Sequence, residues 1–384
     1  MKFIEQHIQQ VEKIAEGYKG QEPLHLYLKK FFKRNKKFGS RDRKNIASYL
    51  YGAYRMGREN RHLTMRQRVY FYLFLSNKGN ADVLPDDFAD LPPLLSSSFK
   101  KKIDFLRSKY KLRETYRAQD EISKKIDSER YRNSFYNDPK VYIRIRNNSA
   151  KDYEKVIKEN DGQQEEAHVF SFPSQVKLHT FLEEKNYVVQ DINSQRTAHY
   201  FPNLNETSDV WDCCAGSGGK SILLLDTHKN VNLTVTDIRA SILRSLLERF
   251  ELYGLEVDML AEMNINKAKE LDVLEGRFFD FIICDVPCTG SGTWARTPEQ
   301  FYFFEKKEIS RFQKRQLDIL ENASSRLKKS GSILYITCSV FTKENEDVVT
   351  LFLEKHSDFK IGQQHYLDGT SSQADTLFIT QLLK

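Results

Sequence analysis

Apolar residues recur every three to four positions through the first third of the chain. Ile4, Ile8, Val11 and Ala15 are followed by Leu24, Tyr27, Leu28, Phe31 and Phe32, then by Ile46, Tyr49, Leu50 and Tyr54. That period puts them on one face of successive helices, so residues 1 to about 128 are expected to form a helical domain. A polar, Pro-containing stretch (Asn77–Ser98) interrupts it, and a highly charged helix is expected over Phe99–Arg130. The period then changes. Val141-Tyr142-Ile143-Arg144-Ile145-Arg146 alternates as a strand does, and a helix (Ala150–Asn160) and a short strand (His168–Phe172) complete a small α+β module. From Val210 the two periods alternate. Strands are expected at Val210–Cys214, Leu233–Ile238, Val257–Glu262, Phe279–Asp285 and Ser332–Cys338, with helices at Gly219–Thr227, Ala240–Tyr253, Glu308–Lys328 and Lys343–Lys355. Such a βαβα order predicts an α/β, Rossmann-like doubly wound sheet, closed by a last strand at Leu377–Leu382. The expected domains are 1–130, 131–200 and 201–384.

Composition narrows this picture in three ways. The five cysteines (213, 214, 284, 288 and 338) are odd in number and confined to the C-terminal half of the 384 residues. That distribution suits reduced thiols in the cytoplasm better than a disulfide framework. No apolar run is long enough to span a membrane, and Met1–Lys19 carries no signal-peptide pattern. The net charge of +7 is modest, but between Lys29 and Lys44 nine Lys/Arg face one acid, with Phe31, Phe32 and Phe38 interleaved. Basic and aromatic residues together fit phosphate contact and base stacking; a solvated helix face is the competing reading.

The candidate chemistry lies at the ends of expected strands, where ligands gather in open α/β sheets. Cys288 in Asp285-Val-Pro-Cys-Thr-Gly-Ser-Gly and Cys338 in Thr337-Cys-Ser each follow a β-rich run. Two thiols there suit a reaction in which one is the nucleophile and the other helps to undo the adduct. No further Cys or His stands at ligand spacing, so no metal site is expected. A single Cys would more simply be a buried core residue, but Pro287, Thr289, Gly290 and Ser291 place Cys288 on a loop. The first strand is followed by Asp212-Cys-Cys214-Ala215-Gly216-Ser217-Gly218-Gly219-Lys220, a Gly-rich turn into a helix. A P-loop would need Gly at 214, and the dinucleotide fingerprint Gly or Ala at 221; the chain has Cys and Ser. S-adenosylmethionine, an adenosine without phosphates, is the remaining reading. Asp237, ending the second strand, is placed to take ribose hydroxyls, or else to cap the following helix.

These residues resemble the Nop/Sun family of RNA cytosine-5 methyltransferases, of the RsmB type. The resemblance runs from Gln190-Asp191-Ile-Asn-Ser-Gln195 through the Gly-rich turn, the Asp285–Cys288 and Thr337–Ser339 segments and Glu344-Asn345-Glu346 to Asp375-Thr-Leu-Phe378. Ser40-Arg41-Asp42-Arg43 with Tyr51-Gly52 and Arg55 also looks like that type's NusB-like helical domain. Ser217 stands where the family usually has Pro, Asn264 where an Asp commonly faces the adenine, and Ile242 where an Arg is common.

The resemblance implies S-adenosylmethionine held by residues 214–220 with Asp237, Asn264 and Asp285. It assigns attack on cytosine C6 to Cys338, release of the product to Cys288, and recognition of the base's N3/N4 edge to Asp285. Lys220 is expected to pair with Asp285 or, alternatively, to face solvent. The substrate it implies is RNA, small-subunit (16S) ribosomal RNA before tRNA, with the cytosine single-stranded or flipped out. No DNA or membrane partner is expected, and the chain is expected to act as a monomer. The Lys29–Lys44 segment and Arg144 or Arg146 are expected to hold phosphates, and Trp294 with Arg296 either to reach the RNA or to pack in a loop. A ribosome-assembly factor that binds RNA without catalysis is the rival from another class.

Overall fold

The structure, a computed structural model, describes residues 2–79, 84–113, 118–146, 150–205, 207–229 and 231–384. The chain divides into two compact units. The first comprises Met1–Asp120, Asp127–Asp138 and Trp294–Lys306, and the second Glu121–Ile126, Pro139–Thr293 and Lys307–Lys384.

The first unit is helical: α1 (Lys2–Gly17), α2 (Leu24–Arg34), α3 (Ser40–Arg55), α4 (Met65–Leu75), α5 (Phe99–Tyr110) and α6 (Ser128–Ser134). The three-to-four spacing is reproduced in its core, where Ile8, Val11, Leu24, Leu28, Ile46 and Leu50 are buried together. α4 is buried almost all round. Gly52 lets α3 and α4 approach, since a Cβ there would lie 2.1 Å from the Tyr72 ring. The charged helix expected to run to Arg130 stops at Tyr110. Lys111 turns left-handed (φ 57°) and its N–H bonds back to Arg107 O, a C-terminal cap that charge patterning does not reveal. α6 starts afresh at Asp127, whose carboxylate accepts the N–H groups of Glu129 and Arg130.

The second unit holds two sheets. β1 (Val141–Ile145), α7 (Ala150–Glu159), β2 (Gln163–Glu166), β3 (Val169–Phe172) and β4 (Tyr187–Val189) give an antiparallel sheet of order β2-β3-β1-β4. α8 (Ile192–Arg196) leads into β5 (Asp209–Asp212), α9 (Gly219–Thr227), β6 (Asn232–Asp237), α10 (Ala240–Tyr253), β7 (Met259–Glu262) and β8 (Phe279–Asp285). After α11 (Pro298–Phe303), which belongs to the first unit, come α12 (Lys307–Ser324), β9 (Leu327–Thr337), α13 (Glu346–Lys355), β10 (Lys360–Leu367) and β11 (Leu377–Leu383). The large sheet has the order β10-β11-β9-β8-β5-β6-β7, with β5 to β9 parallel and β10 and β11 antiparallel. It is the Rossmann-like arrangement the βαβα pattern predicts. β10 is an addition. Five of its eight residues are exposed, an edge strand without the alternation that marks a half-buried one.

Arg144 and Arg146, expected to hold phosphates, are instead bound to Asp226 of α9 at 2.5 and 2.9 Å. All three side chains are nearly buried. Their role is to bind the small sheet to the large one, because a buried guanidinium is tolerated only when paired.

Candidate active site

The turn after β5 and the ends of β6, β7 and β8 enclose a cavity of about 670 Å³. Two left-handed glycines, Gly216 (φ 54°) and Gly218 (φ 82°), make the turn. A Cβ on Gly216 would meet nothing within 4 Å, so this backbone faces the cavity bare, whereas one on Gly218 would lie 2.9 Å from Leu246. Arg249 of α10 steadies the turn by donating to Ser217 O at 2.7 Å. Ser217 thus sits in a well-held backbone without the rigidity a proline would bring.

Asp237 is buried at the end of β6 and accepts the N–H groups of Gly216 and Arg239, each at 3.0 Å. The Arg239 guanidinium also lies on it at 3.0 Å. The carboxylate therefore closes a turn ahead of α10, whose N-terminus has no side-chain cap, and lines the cavity. Asn264 lines it too, with its Oδ1 taken by Asn266 N and Nδ2. Asp212, at the end of β5, is fully buried; Oδ2 accepts Ser221 Oγ at 2.6 Å, and Oδ1 has no hydrogen-bond partner among the described residues. Burial pushes its carboxyl up to about 7.

Parallel pairing of β8 with β9, with Asp285 opposite Ile336, brings the two thiol loops together. Cys288 Sγ and Cys338 Sγ stand 3.2 Å apart. Glu344 holds this geometry. Its buried carboxylate accepts Thr289 N (2.9 Å) and Thr289 Oγ1 (2.5 Å) from one loop, Ser339 Oγ (2.5 Å) from the other, and Gln316 Nε2 (3.0 Å) from α12. Gln316 also donates to Pro287 O, and Ser291 Oγ receives Val340 N. Each loop is thus defined by bonds to the other. The site lies beside the cavity: Asp285 lines it and accepts Lys220 Nζ at 2.7 Å.

Charges at the site oppose one another. Burial works to strip the Lys220 proton, but the carboxylate of Asp285 and the thiol of Cys338 hold its ammonium above the ordinary lysine range. Lys220 is buried, not solvent-facing. The Cys288 thiol is pushed well up, first by its hydrogen bond to Cys338 and then by burial, with Glu344 adding to the effect. At neutral pH Cys288 therefore carries its proton. Cys213 and Cys284 are buried in the core of the sheet; Cys214 lines the cavity.

Residues 199–383 match the family described as 16S rRNA methyltransferase RsmB/F. Over 182 residues (47% of this chain, 40% of the relative) the chain is 31% identical to the probable ribosomal RNA small subunit methyltransferase B of Bacillus subtilis (strain 168). Over 202 residues (52% and 46%) it is 30% identical to the ribosomal RNA small subunit methyltransferase B of Shewanella oneidensis. The matched segment spans under half the length of these relatives. The fold of PH0851 superposes with a TM-score of 0.73 at 18% identity, covering 100% of this chain and 98% of that one. A methyltransferase homolog protein from Pyrococcus horikoshii superposes at 0.57, with 17% identity, over 78% and 100%.

The matched region thus gathers Asp212, Cys214, Gly216, Lys220, Asp237, Asn264 and Asp285 on one cavity, with Cys288 and Cys338 paired beside it. Trp294 is buried against Phe301 and Phe304, which rules it out as a stacking platform. The part of Glu344 as the clamp between loops is not read from sequence, although Glu344-Asn345-Glu346 had marked the segment. Gln316 also left a signal: it is a polar residue seven after the buried Ile309 and three before the buried Ile319.

Proposed function

We propose that this chain transfers a methyl group from S-adenosylmethionine to C5 of a cytosine in RNA, with small-subunit ribosomal RNA as the substrate. The observation that carries the reading is the pair of thiols at 3.2 Å beside a lysine–aspartate pair on the rim of a Gly-lined cavity. Simple binding of RNA calls for neither. The cavity suits the cofactor: bare backbone at Gly216, a carboxylate at Asp237 for ribose hydroxyls, and the unpartnered Asp212 Oδ1 for an ammonium. When bound, S-adenosylmethionine supplies an electrophilic methyl on a sulfonium. The names of the Bacillus and Shewanella relatives favour small-subunit ribosomal RNA.

Cytosine C5 is too poor a nucleophile to take that methyl unaided. Cys338 Sγ, its proton passed to water, adds to C6 as a thiolate, forming a C–S bond and shifting the ring electrons toward N3 and C5. Asp285 accepts from the N4 amino group, and the Lys220 ammonium beside it offsets the charge gathering on the base. C5, now enamine-like, takes the methyl. Cys288, its own proton first passed to water, then accepts the C5 proton as a thiolate, the C6–S bond breaks, and Cys338 leaves as thiolate. The order of events favours this division of labour. The hydrogen bond to Cys338 is the first cause of the raised Cys288 proton affinity, and it is lost once Cys338 is bonded to carbon. Cys288 thereby becomes easier to deprotonate at the stage where a base is needed.

Bisulfite sequencing of RNA from a strain lacking the gene, beside its parent, tests the reading. One small-subunit cytosine losing protection supports enzyme and substrate together. Loss at a tRNA position moves the target. Absence of any lost site rejects the proposal in favour of a binding factor.

A further inference from the structure

The first unit contains a second cavity, of about 330 Å³, whose residues the reaction does not use. Lys100 and Arg107 reach it from one face of α5, seven residues apart, and Arg132 from α6. Arg113 and Arg55 complete a set of five cations, against three acids, Glu59, Asp104 and Glu129. Asp104 is engaged by Arg107 at 3.3 Å, and Glu59 also has partners of its own. Lys100 and Arg113 are exposed, and their charged ends make no hydrogen bond or ion pair among the described residues. Arg55 is buried, donating to Phe135 O at 2.9 Å and lying 3.6 Å from Asp138.

The wall between these cations is aromatic. Phe99 and Tyr136 face one another with ring centroids 5.4 Å apart. Burial pushes the Tyr136 hydroxyl up to about 12 while Arg107 and Arg132 pull the other way, so both guanidiniums act on this wall. Guanidinium planes and rings stack on nucleobases, and free ammonium and guanidinium groups hold phosphates. An acidic peptide would use the cations but leave the rings idle. The Lys29–Lys44 segment lacks this combination. Its nine basic residues are exposed, but neither they nor its rings line this cavity.

We infer that this cavity binds one nucleotide of a single-stranded RNA segment, its base against Phe99 and Tyr136 and its phosphate between Lys100 and Arg113. The inference rests on RNA being the substrate. It adds a second grip on the strand, separate from the site of chemistry.

The test uses the full chain. Affinity for a single-stranded RNA is measured by fluorescence anisotropy at several salt concentrations, for wild type, Lys100→Ala/Arg113→Ala and Lys100→Glu. Both Ala changes leave the backbone bonds between Arg113 and Asn60 in place. The double variant should bind about 10-fold more weakly at low salt, with a salt slope about 1 smaller. Photocrosslinking with 4-thiouridine RNA should mark peptides containing Phe99 or Tyr136. If wild type methylates RNA while the variants match it in affinity, slope and crosslinks, this inference fails and the proposed function stands. If wild type neither binds nor methylates RNA, both fail.

Discussion

Cys288 Sγ lies 3.2 Å from Cys338 Sγ across two neighbouring parallel strands, though the two residues are fifty positions apart in the chain. At that separation the two sulfurs cannot both carry charge at low cost, and Cys288, its thiol pushed well up, keeps its proton. Substituting them one at a time should separate their roles. Cys338→Ala should abolish both methyl transfer and covalent capture of RNA. Cys288→Ala should let the adduct form and accumulate as a protein–RNA band that survives denaturing electrophoresis. The opposite pattern would exchange the assignments.

Glu344 offers a test of how far the loops depend on each other. Glu344→Ala leaves Thr289 N, Thr289 Oγ1, Ser339 Oγ and Gln316 Nε2 without their acceptor. Only the backbone N–H and the amide cannot reorient, so a loss of about 2–4 kcal/mol in unfolding free energy is expected. The methylation rate should fall by more than 100-fold as the thiols drift apart. Glu344→Gln should be milder, because the two hydroxyls can turn to accept from the new amide. Equal damage from both changes would mean that the charge of Glu344 matters more than its bonds.

Asp212 predicts a pH dependence of stability. Its carboxyl rises from an ordinary 3.8 to about 7 on folding because it is buried. Between those values the folded chain holds a proton that the unfolded chain has released. Stability from this group is therefore greatest below about pH 4 and declines as pH rises to about 7, by at most about 4 kcal/mol. Asp212→Asn should remove that slope and stabilise the free protein at pH 8, while weakening S-adenosylmethionine binding at least 10-fold. Urea midpoints at pH 5 and pH 8, with titration calorimetry of the cofactor, would check both. An unchanged slope in the variant would exclude Asp212 as its source.

Asp226 compensates two nearly buried guanidiniums. Asp226→Ala should cost about 3–5 kcal/mol. Arg144→Ala should leave the salt slope of RNA binding unchanged, since its charge is spent within the fold. A smaller slope would return Arg144 to the phosphate contacts.

The sequence was most legible where local chemistry and tertiary demand agree. β8, α9 and α10 lie where periodicity and the flanking glycines put them; Gly254 ends α10 in the left-handed region. Legibility failed where the signal is not local. Lys111 adopts a conformation better suited to glycine, so nothing in its neighbourhood announces the end of α5. β9 begins at Leu327, just before a Lys-Lys-Ser-Gly run that reads as helix end and turn. Only Lys328, bridging Asp209 and Asp280 at 2.8 and 2.9 Å, explains why that run extends the strand. At the site, residue types foretold the thiols and the Asp285–Lys220 pair, but not the clamp. A carboxylate that works by joining two distant loops leaves no periodicity of its own.

The strand order β10-β11-β9 has a consequence for how the molecule comes into being. β11 lies between two strands made before it, so β9 remains an open edge until residues 377–383 emerge. Beside it, Thr376 N–H bonds to Gly292 O, and a Cβ on Gly292 would come within 2.0 Å of Thr376 O. Gly292 N–H in turn holds Cys338 O. The loop that positions one thiol against the other is thus anchored by a segment synthesised more than thirty residues after both. Pairings of this kind form late and slowly because they join distant parts of the chain. A growing polypeptide therefore carries its reactive sulfurs unaligned, and catalytic competence arrives together with completion of the sheet.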